Sequence, residues 1–523
     1  MARTLKISQD HSYPLFDIAA TRQIETRAQV DLPEHTLMQR AGLATARLTL
    51  ALAPHAQRIW IACGPGNNGG DGFEAALQLH RLGKTVSLTW TALGQDDDSS
   101  LQPPDAHASR LRALSAGLLI SPEPPATFDF AIDALLGIGG TLATDRPGTR
   151  LMTQWLDLMH VSGETVLCID LPTGLDADTG ASLYQAQTAS TGLDNLHRPG
   201  ARHTLSLLTL KPGLFTADGR DAAGQVWLND LSVTTPADVQ PCAMLQGADS
   251  SPCLARQNQA HASHKGSFGD VAVLGGAAGM VGAALLAARA ALHAGAGRVF
   301  IALLGDTADS VLSVDTSQPE LMFRNPVALD LKQQVLVCGC GGGQAVHAHL
   351  PALLADAARA VFDADALNAI AADSSLQASL AARQSHGYAT VLTPHPQEAA
   401  RLLQCSTHDV QSDRRRAAQR LADRFGSVVV LKGSGSVIAA PEQTPLINHS
   451  GNALLASPGT GDVLAGMIGA MLAAGLPART AAARAVFIHG QLADRWAECA
   501  KTSAPSGVRE ALTASALARC ASA

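Results

Sequence analysis

The chain has 523 residues, 46% of them hydrophobic and only 4% aromatic, with 47 glycines and a net charge of −7. That length exceeds one ordinary core, so two domains are expected, and an acidic balance without a basic cluster excludes a nucleic-acid-binding surface. Nine scattered cysteines without a C-x-x-C pair argue against a zinc site or a disulfide framework, and neither a signal-peptide core nor a membrane-length apolar run is visible, so a cytoplasmic protein with no membrane partner is expected.

A polar tail leads into two helical stretches, the second over Leu37 to Leu52. RIWIAC (Arg58 to Cys63) reads as a buried strand, GPGNNGGDG as a glycine loop, and FEAALQLHRLG as a helix capped by Gly83. Gly64, Gly66 and Gly69 satisfy G-x-G-x-x-G, but the next strand, TVSLTWT, lacks the terminal acidic residue that would grip a ribose. Hydride transfer is therefore discounted. Asn67, Asn68 and Asp71 instead offer oxygen ligands and amide donors. Two further strands stop at Asp133 and Asp170. Ligands of open parallel sheets bind at such carboxyl ends, so Asp133, Asp170 and Thr173 are expected to converge with Asn68 on one crevice suited to a hard cation.

The segments GPGNNGGDGF, DALLGIGGT, DLPTGLDADTG and LKPGL resemble the N-terminal domain of the NAD(P)H-hydrate epimerases over residues 13 to 235. The resemblance implies a Rossmann-like sheet that binds hydrated NADH or NADPH and K+. Carried over by position, Asn68, Asp133 and Thr173 would hold the cation. Asn67, Asn68, Gly69, Gly70 and Asp71, then Gly137, Ile138, Gly139, Gly140, Thr141, Leu142 and Ala143, together with Asp170, would line the substrate. Thr173 stands where the family usually has Ser, and Ser190 to His203 is longer and more polar than the family pattern. Asp170 is the suspect for proton transfer.

Thr234 to Cys253 is rich in Pro, Ser and Asp and lacks periodicity, so it reads as the interdomain connection. The expected domains are 1–238 and 239–523. The second begins with turn, strand, glycine loop, Ala-rich helix and strand, a crossover unit of a further α/β domain. Gly282-Ala283-Ala284 lets its helix start lie close to a ligand or a strand. VLVCGCGGG repeats the strand-to-glycine arrangement, with Cys338 and Cys340 read as core packing. In AVFDADALNAI, Asp363 and Asp365 either meet a substrate or cap a helix, and Asp365 is favoured for function. His395, between two prolines, must project from a fixed turn.

SVVVLKGSGSVIAA reads as strand, turn and strand, with Lys432 and the Gly433 to Ser436 amides open to a phosphate. Lysine is sparse, and Lys211, Lys265 and Lys432 each sit beside a glycine turn, in KPG, HKG and LKG, where a flexible amine suits phosphate contact. SPGTGDVLAG places a Gly-Thr-Gly-Asp turn before a small-residue helix, an anion site with a carboxylate inside it. Asp462 therefore makes sense as a base or a metal partner beside the transferred group.

HKGSFG, GAALLAARAALHAGAG, DADALN, LTPHPQEA, LKGSGS and GTGDVLAG are similar to the ADP-dependent NAD(P)H-hydrate dehydratases, ribokinase-like proteins, over residues 255 to 500. That resemblance implies nucleotide binding by Lys432, Gly433, Ser434, Gly435, Ser436 and Gly461. It also implies hydrate contacts from Ala283, Gly341, His395 and Asp462, with Asp462 as the catalytic base and Mg2+ and ADP as cofactors. The fold class expected is thus a Rossmann-like three-layer α/β sandwich followed by a ribokinase-like α/β domain. The partners expected are NADHX or NADPHX and ADP, in a homo-oligomer. A small-molecule kinase and a nucleotide sensor without turnover are the alternatives.

Overall fold

In this computed structural model, the structure describes residues 3–93, 102–142, 148–184, 200–250, 261–305, 313–502 and 511–521. Ala143, residues 190–199 of the polar segment and residues 251–253 of the expected linker lie outside them. The chain forms two compact units: residues 1–8 with 14–242, and residues 9–13 with 243–523.

The first unit is built on Arg58–Cys63. Thr85–Trp90 and Phe130–Ala134 pair with it in parallel on either side. Beyond Phe130–Ala134 follow Thr165–Ile169, Arg202–Leu207 and Gln225–Asn229, all parallel, and Thr4–Lys6 closes that edge antiparallel. Side chains alternate across the pleat. Ile59, Ile61 and Cys63 join a core with Phe73 and Leu48, whereas Trp60 and Ala62 join one with Trp155 and Met159. Helices Thr36–Leu52 and Asn67–Arg81 supply the first core and Thr149–Val161 the second. These are the three layers expected of a Rossmann-like unit.

The glycine loop differs from its sequence reading. Its residues from Asn67 onward are already helix, with Gly66 as the N-cap. A β-carbon at Gly69 would stand 2.0 Å from the Gly64 carbonyl oxygen, and one at Gly72 would stand 2.6 Å from the Ala134 β-carbon. Close helix-to-strand packing thus outweighs the roughly 1 kcal/mol that a helical glycine costs.

In the second unit Asp270–Gly275, Val335–Cys338, Arg359–Phe362, Ala389–Leu392 and Val428–Leu431 run parallel in that spatial order. Arg298–Leu303 and Met322–Phe323 extend one side in parallel. The other continues through Val437–Ala440 and Gln443–Asn448, both antiparallel, to Ala243–Gln246. That last strand falls inside the expected linker, a correction: Ala243 and Leu245 are fully buried, and four residues are too few to show a period. Val271, Val273 and Val337 face helices Val281–His293 and Thr460–Ala473, while Leu274, Leu336 and Phe362 face Pro396–Leu403 and Arg414–Phe425.

Candidate functional site

Each unit gathers chemistry at the carboxyl ends of its parallel strands, where side chains from successive loops meet. In the first unit a cavity of about 390 Å³ opens over Arg58–Cys63 and Phe130–Ala134. Asn67, Asn68 and Asp71 reach it from the first turns of one helix, the loop Gly137 to Gly140 from another strand end, and Asp170 from a third. Gly69 and Gly70 are spent on packing, against Gly64 and Met38. Thr141 is exposed, and Leu142 sits in the core near Met152.

Asn68 is buried, yet neither its side-chain oxygen nor its nitrogen has a hydrogen-bond partner. An amide left so in a protein interior points to a group that completes it. Asp133 and Thr173 line a neighbouring cavity instead. There the Thr173 hydroxyl donates to Asp133 at 2.7 Å, and the Thr173 amide donates to the other carboxylate oxygen at 3.0 Å. Burial pushes the Asp133 carboxyl up despite these bonds.

Asp170 adopts φ of +65°, a left-handed conformation that Asp tolerates better than most residues. Its carboxylate accepts from Lys211, whose ammonium is fully buried and also donates to the Leu207 carbonyl at 2.8 Å. This corrects the phosphate reading of Lys211: the amine is committed to Asp170. Lys265 is exposed in the turn before Asp270, at the amino end of that strand and away from the carboxyl-end site. The pocket also holds Glu25, from Ile18–Asp31, which the sequence reading missed. Burial and then the Asp170 charge raise its pKa, and burial raises that of Asp71 further.

In the second unit four neighbouring strand ends deliver Cys340, Asp363, His395 and Lys432, and Asp462 joins them from the helix Thr460–Ala473. That helix starts at Thr460 with Gly459 as N-cap at φ +88°, so Asp462 lies in its first turn. The Lys432 ammonium is 2.7 Å from Asp363 Oδ1. Burial works against the charged amine, but Asp363 and Glu398 outweigh it and raise its pKa. Gly461 lies against this pair, its missing β-carbon 3.5 Å from Lys432 Nζ. Cys340 Sγ and the Asp363 and Asp462 carboxylates converge within 4.8 Å. Burial first, then the Asp363 charge, pushes Asp462 up to about 6.

The preference for Asp365 is a correction. Asp363 is the buried member of the cluster, whereas the Asp365 carboxylate accepts from the Gly343 amide at 2.8 Å and braces the glycine loop. Cys340, read as core packing, is buried but also belongs to the cluster. Gly341, at φ +59°, would bring a β-carbon to 2.9 Å from that of Ala283, so these two expected substrate contacts are adjacent. His395 caps the helix Pro396–Leu403, its Nδ1 accepting from the Gln397 and Glu398 amides at 3.1 and 3.3 Å. The Lys432 amide donates to the Pro394 carbonyl at 2.9 Å, which ties the His395 turn to the Lys432 turn. Gly433 and Gly435 have positive φ, as the turn to Ser436 requires, and the missing Gly433 β-carbon would meet the buried Arg414 guanidinium at 2.8 Å.

A Rossmann-like sheet with an acid-rich crevice, followed by a ribokinase-like sheet with a carboxylate at a helix N-terminus, defines a two-domain nucleotide-handling enzyme. Residues 271–513 match the family described as NAD(P)H-hydrate dehydratase, and residues 34–213 match the YjeF-related protein N-terminus. The bifunctional NAD(P)H-hydrate repair enzyme Nnr of Escherichia coli is 34% identical over 502 residues, covering 93% of this chain and 90% of that one. The ADP-dependent (S)-NAD(P)H-hydrate dehydratase of Neisseria meningitidis is 41% identical over 242 residues, 45% of this chain and 80% of that one. An ADP/ATP-dependent NAD(P)H-hydrate dehydratase of Bacillus subtilis, co-crystallized with ATP/Mg2+, aligns with a TM-score of 0.42 at 27% identity, over 50% of this chain and 91% of that one. The chain belongs to the bifunctional NAD(P)H-hydrate repair enzymes, which join an epimerase domain to an ADP-dependent (S)-NAD(P)H-hydrate dehydratase domain. A kinase acting alone would leave the first unit unexplained.

Proposed function

We propose that residues 1–238 interconvert the two epimers of hydrated NADH or NADPH and that residues 239–523 dehydrate the S epimer at the expense of ADP, giving AMP and phosphate. The observation that carries this is Asp462, a carboxylate held at about 6 by burial and Asp363, on the first turn of a helix and beside Lys432.

The hydrate's hydroxyl is a poor leaving group. Asp462 takes its proton as the hydroxyl oxygen attacks the β-phosphorus of ADP and the phosphorus–oxygen bond to AMP breaks. The carbon–oxygen bond of the resulting ester then breaks to release inorganic phosphate while the adjacent ring carbon gives up a proton to solvent, and the double bond of the dihydronicotinamide is restored. Lys432, the Gly433 to Ser436 turn and Gly461 hold the nucleotide, and His395, Ala283 and Gly341 seat the hydrate. When bound, Mg2+ would supply charge neutralisation on the phosphates. The Cys340, Asp363 and Asp462 cluster is not a dedicated cage for it, since a thiol is a poor ligand for a hard cation and Lys432 already neutralises Asp363.

In the first unit Asn67, Asn68, Asp71, the Gly137 to Gly140 loop and Asp170 receive either epimer, and Asp170 moves the proton. Of the three residues that the family resemblance offers to K+, Asn68 fits best, since its buried amide oxygen lacks a partner, whereas Asp133 and Thr173 bond to each other in the neighbouring cavity and would have to turn toward Asn68 to share the ion. A homo-oligomer in the cytoplasm completes the reading.

The test is the recovery of dihydronicotinamide absorbance from a mixed-epimer NADPH hydrate sample with ADP, Mg2+ and K+. Near-complete recovery that depends on ADP supports both halves, and no ADP-dependent recovery sinks the reading. Asp462→Asn is expected to bind ADP within about threefold of the parent while losing dehydration by on the order of 10³-fold.

A further inference from the structure

Cys340 follows the strand Val335–Cys338 between two glycines that leave it no latitude. Gly339 has φ of +114°, and a β-carbon there would stand 2.0 Å from the Asp363 carbonyl oxygen. Gly341 is pressed in the same way against the Met280 carbonyl at 2.7 Å, and the Cys340 carbonyl itself accepts from the Gly276 amide at 3.0 Å. The side chain is consequently fixed and fully buried, with Sγ among the carboxylates of Asp363 and Asp462.

Two acids close together need donors. Asp363 has the Lys432 ammonium at 2.7 Å. The group that faces Asp462 is the Cys340 thiol, which burial first, and then the charges of Asp462 and Asp363, hold far above its usual pKa, so it keeps its hydrogen. The other charged groups around Asp462 are Asp363, Asp365 and Lys432. Glu398 and His395 stand behind Lys432 and Asp363, and His489, whose Nε2 is 3.0 Å from the Thr460 carbonyl oxygen, lies below the same helix turn.

We propose that Cys340 is a positioning residue for the dehydration: its buried S–H donates to the Asp462 carboxylate and holds it in the ionised form and orientation that the substrate hydroxyl requires. This rests on the reading of Asp462 as the base. The thiol stays protonated throughout, forms no bond with the substrate and is not consumed.

Removing the donor withdraws an interaction that favours ionised Asp462, so the base is protonated over a wider pH range. In the full-length protein, with the S epimer of NADPH hydrate, ADP and Mg2+, Cys340→Ala should move the acidic limb of the dehydration rate upward by about one pH unit. The rate would then fall about fivefold near pH 6, approach a tenfold loss below about pH 5, and stay within about twofold of the parent near pH 8.5. Cys340→Ser, which restores a donor, should return the limb to the parent position. Cys340→Val, with matching bulk and no donor, carries the same test if the alanine variant does not fold. An unmoved limb in the donor-free variants, with Asp462→Asn inactive, overturns the role of Cys340 alone. Turnover retained in Asp462→Asn overturns the base assignment beneath it.

Discussion

The Lys432 ammonium, 2.7 Å from Asp363 Oδ1, joins two strands that are not neighbours: Ala389–Leu392 runs between Arg359–Phe362 and Val428–Leu431. The Asp363 side chain is 2% exposed and that of Lys432 19%. Each charge is tolerated there because of the other. A buried pair broken from one side leaves the remaining ion uncompensated, at about 3 kcal/mol or more.

Lys432→Met should therefore cost the second unit about 3 kcal/mol in urea unfolding and abolish ADP binding by calorimetry. The double variant Lys432→Met with Asp363→Asn removes the orphaned charge. It should recover most of the stability and none of the ADP binding. Equal stability losses in the single and double variants would remove the pair from the account.

Asp170 and Lys211 form the corresponding pair in the first unit, and they separate its activity from that of the second. Asparagine tolerates the left-handed backbone of position 170, so Asp170→Asn keeps that turn while removing the charge. It strands the buried Lys211 ammonium at about 3 kcal/mol and is therefore read beside Asp170→Asn with Lys211→Met, which removes the stranded charge. Dehydration of pure S epimer should be unchanged within about twofold, while recovery from a mixed-epimer sample stops at the S share. Full recovery in this variant would exclude Asp170 from proton transfer.

The α/β alternation, the main strands and the candidate residues at their ends were legible in the sequence because strand-end aspartates and glycine turns recur in a fixed rhythm along an α/β chain; the order of the strands in each sheet was not. What was not legible depends on which way a side chain turns. Asp363 and Asp365 are two residues apart in DADALN, and only the entry angle of the helix Ala364–Ala372 decides that the first joins Lys432. Glu25 and Glu398 look like solvent-facing helix residues until their neighbours are known. Lys211 sits beside a proline–glycine turn as a phosphate-binding lysine might, and its burial against Asp170 comes from a strand end over forty residues away. The glycines of Gly64 to Gly72 look like a loop in one dimension because the strand surface they approach is absent from the local sequence.

Glu398 supplies a pH dependence of stability with a definite sign. It is 3% exposed, and burial, with the Asp363 charge adding to it, raises its pKa from 4.5 to about 7 despite Lys432. A carboxyl raised in the folded state favours folding fully below the unfolded value, and that contribution is lost as pH rises through the folded value. Between pH 4.5 and 7 the parent should lose about 3 kcal/mol through this group. In Glu398→Gln that increment disappears, so the difference between the two unfolding profiles should be confined to this window. Parallel profiles would show that Glu398 ionises in the fold as it does in water.

Asn68 offers the sharpest test of the cation. Its side-chain oxygen and nitrogen are buried without a partner, while Asp133 and Thr173 satisfy each other in the adjoining cavity. If K+ completes the Asn68 oxygen, epimerisation in the parent should fall when K+ is replaced by a bulky organic cation. Asn68→Ala should show the low rate in both salts. Dehydration of pure S epimer should respond to neither change. Because alanine also removes an unsatisfied buried amide, the variant should unfold no earlier than the parent measured without K+, and K+ should raise the midpoint of the parent alone. A K+ shift that survives in Asn68→Ala would place the ion elsewhere in the unit.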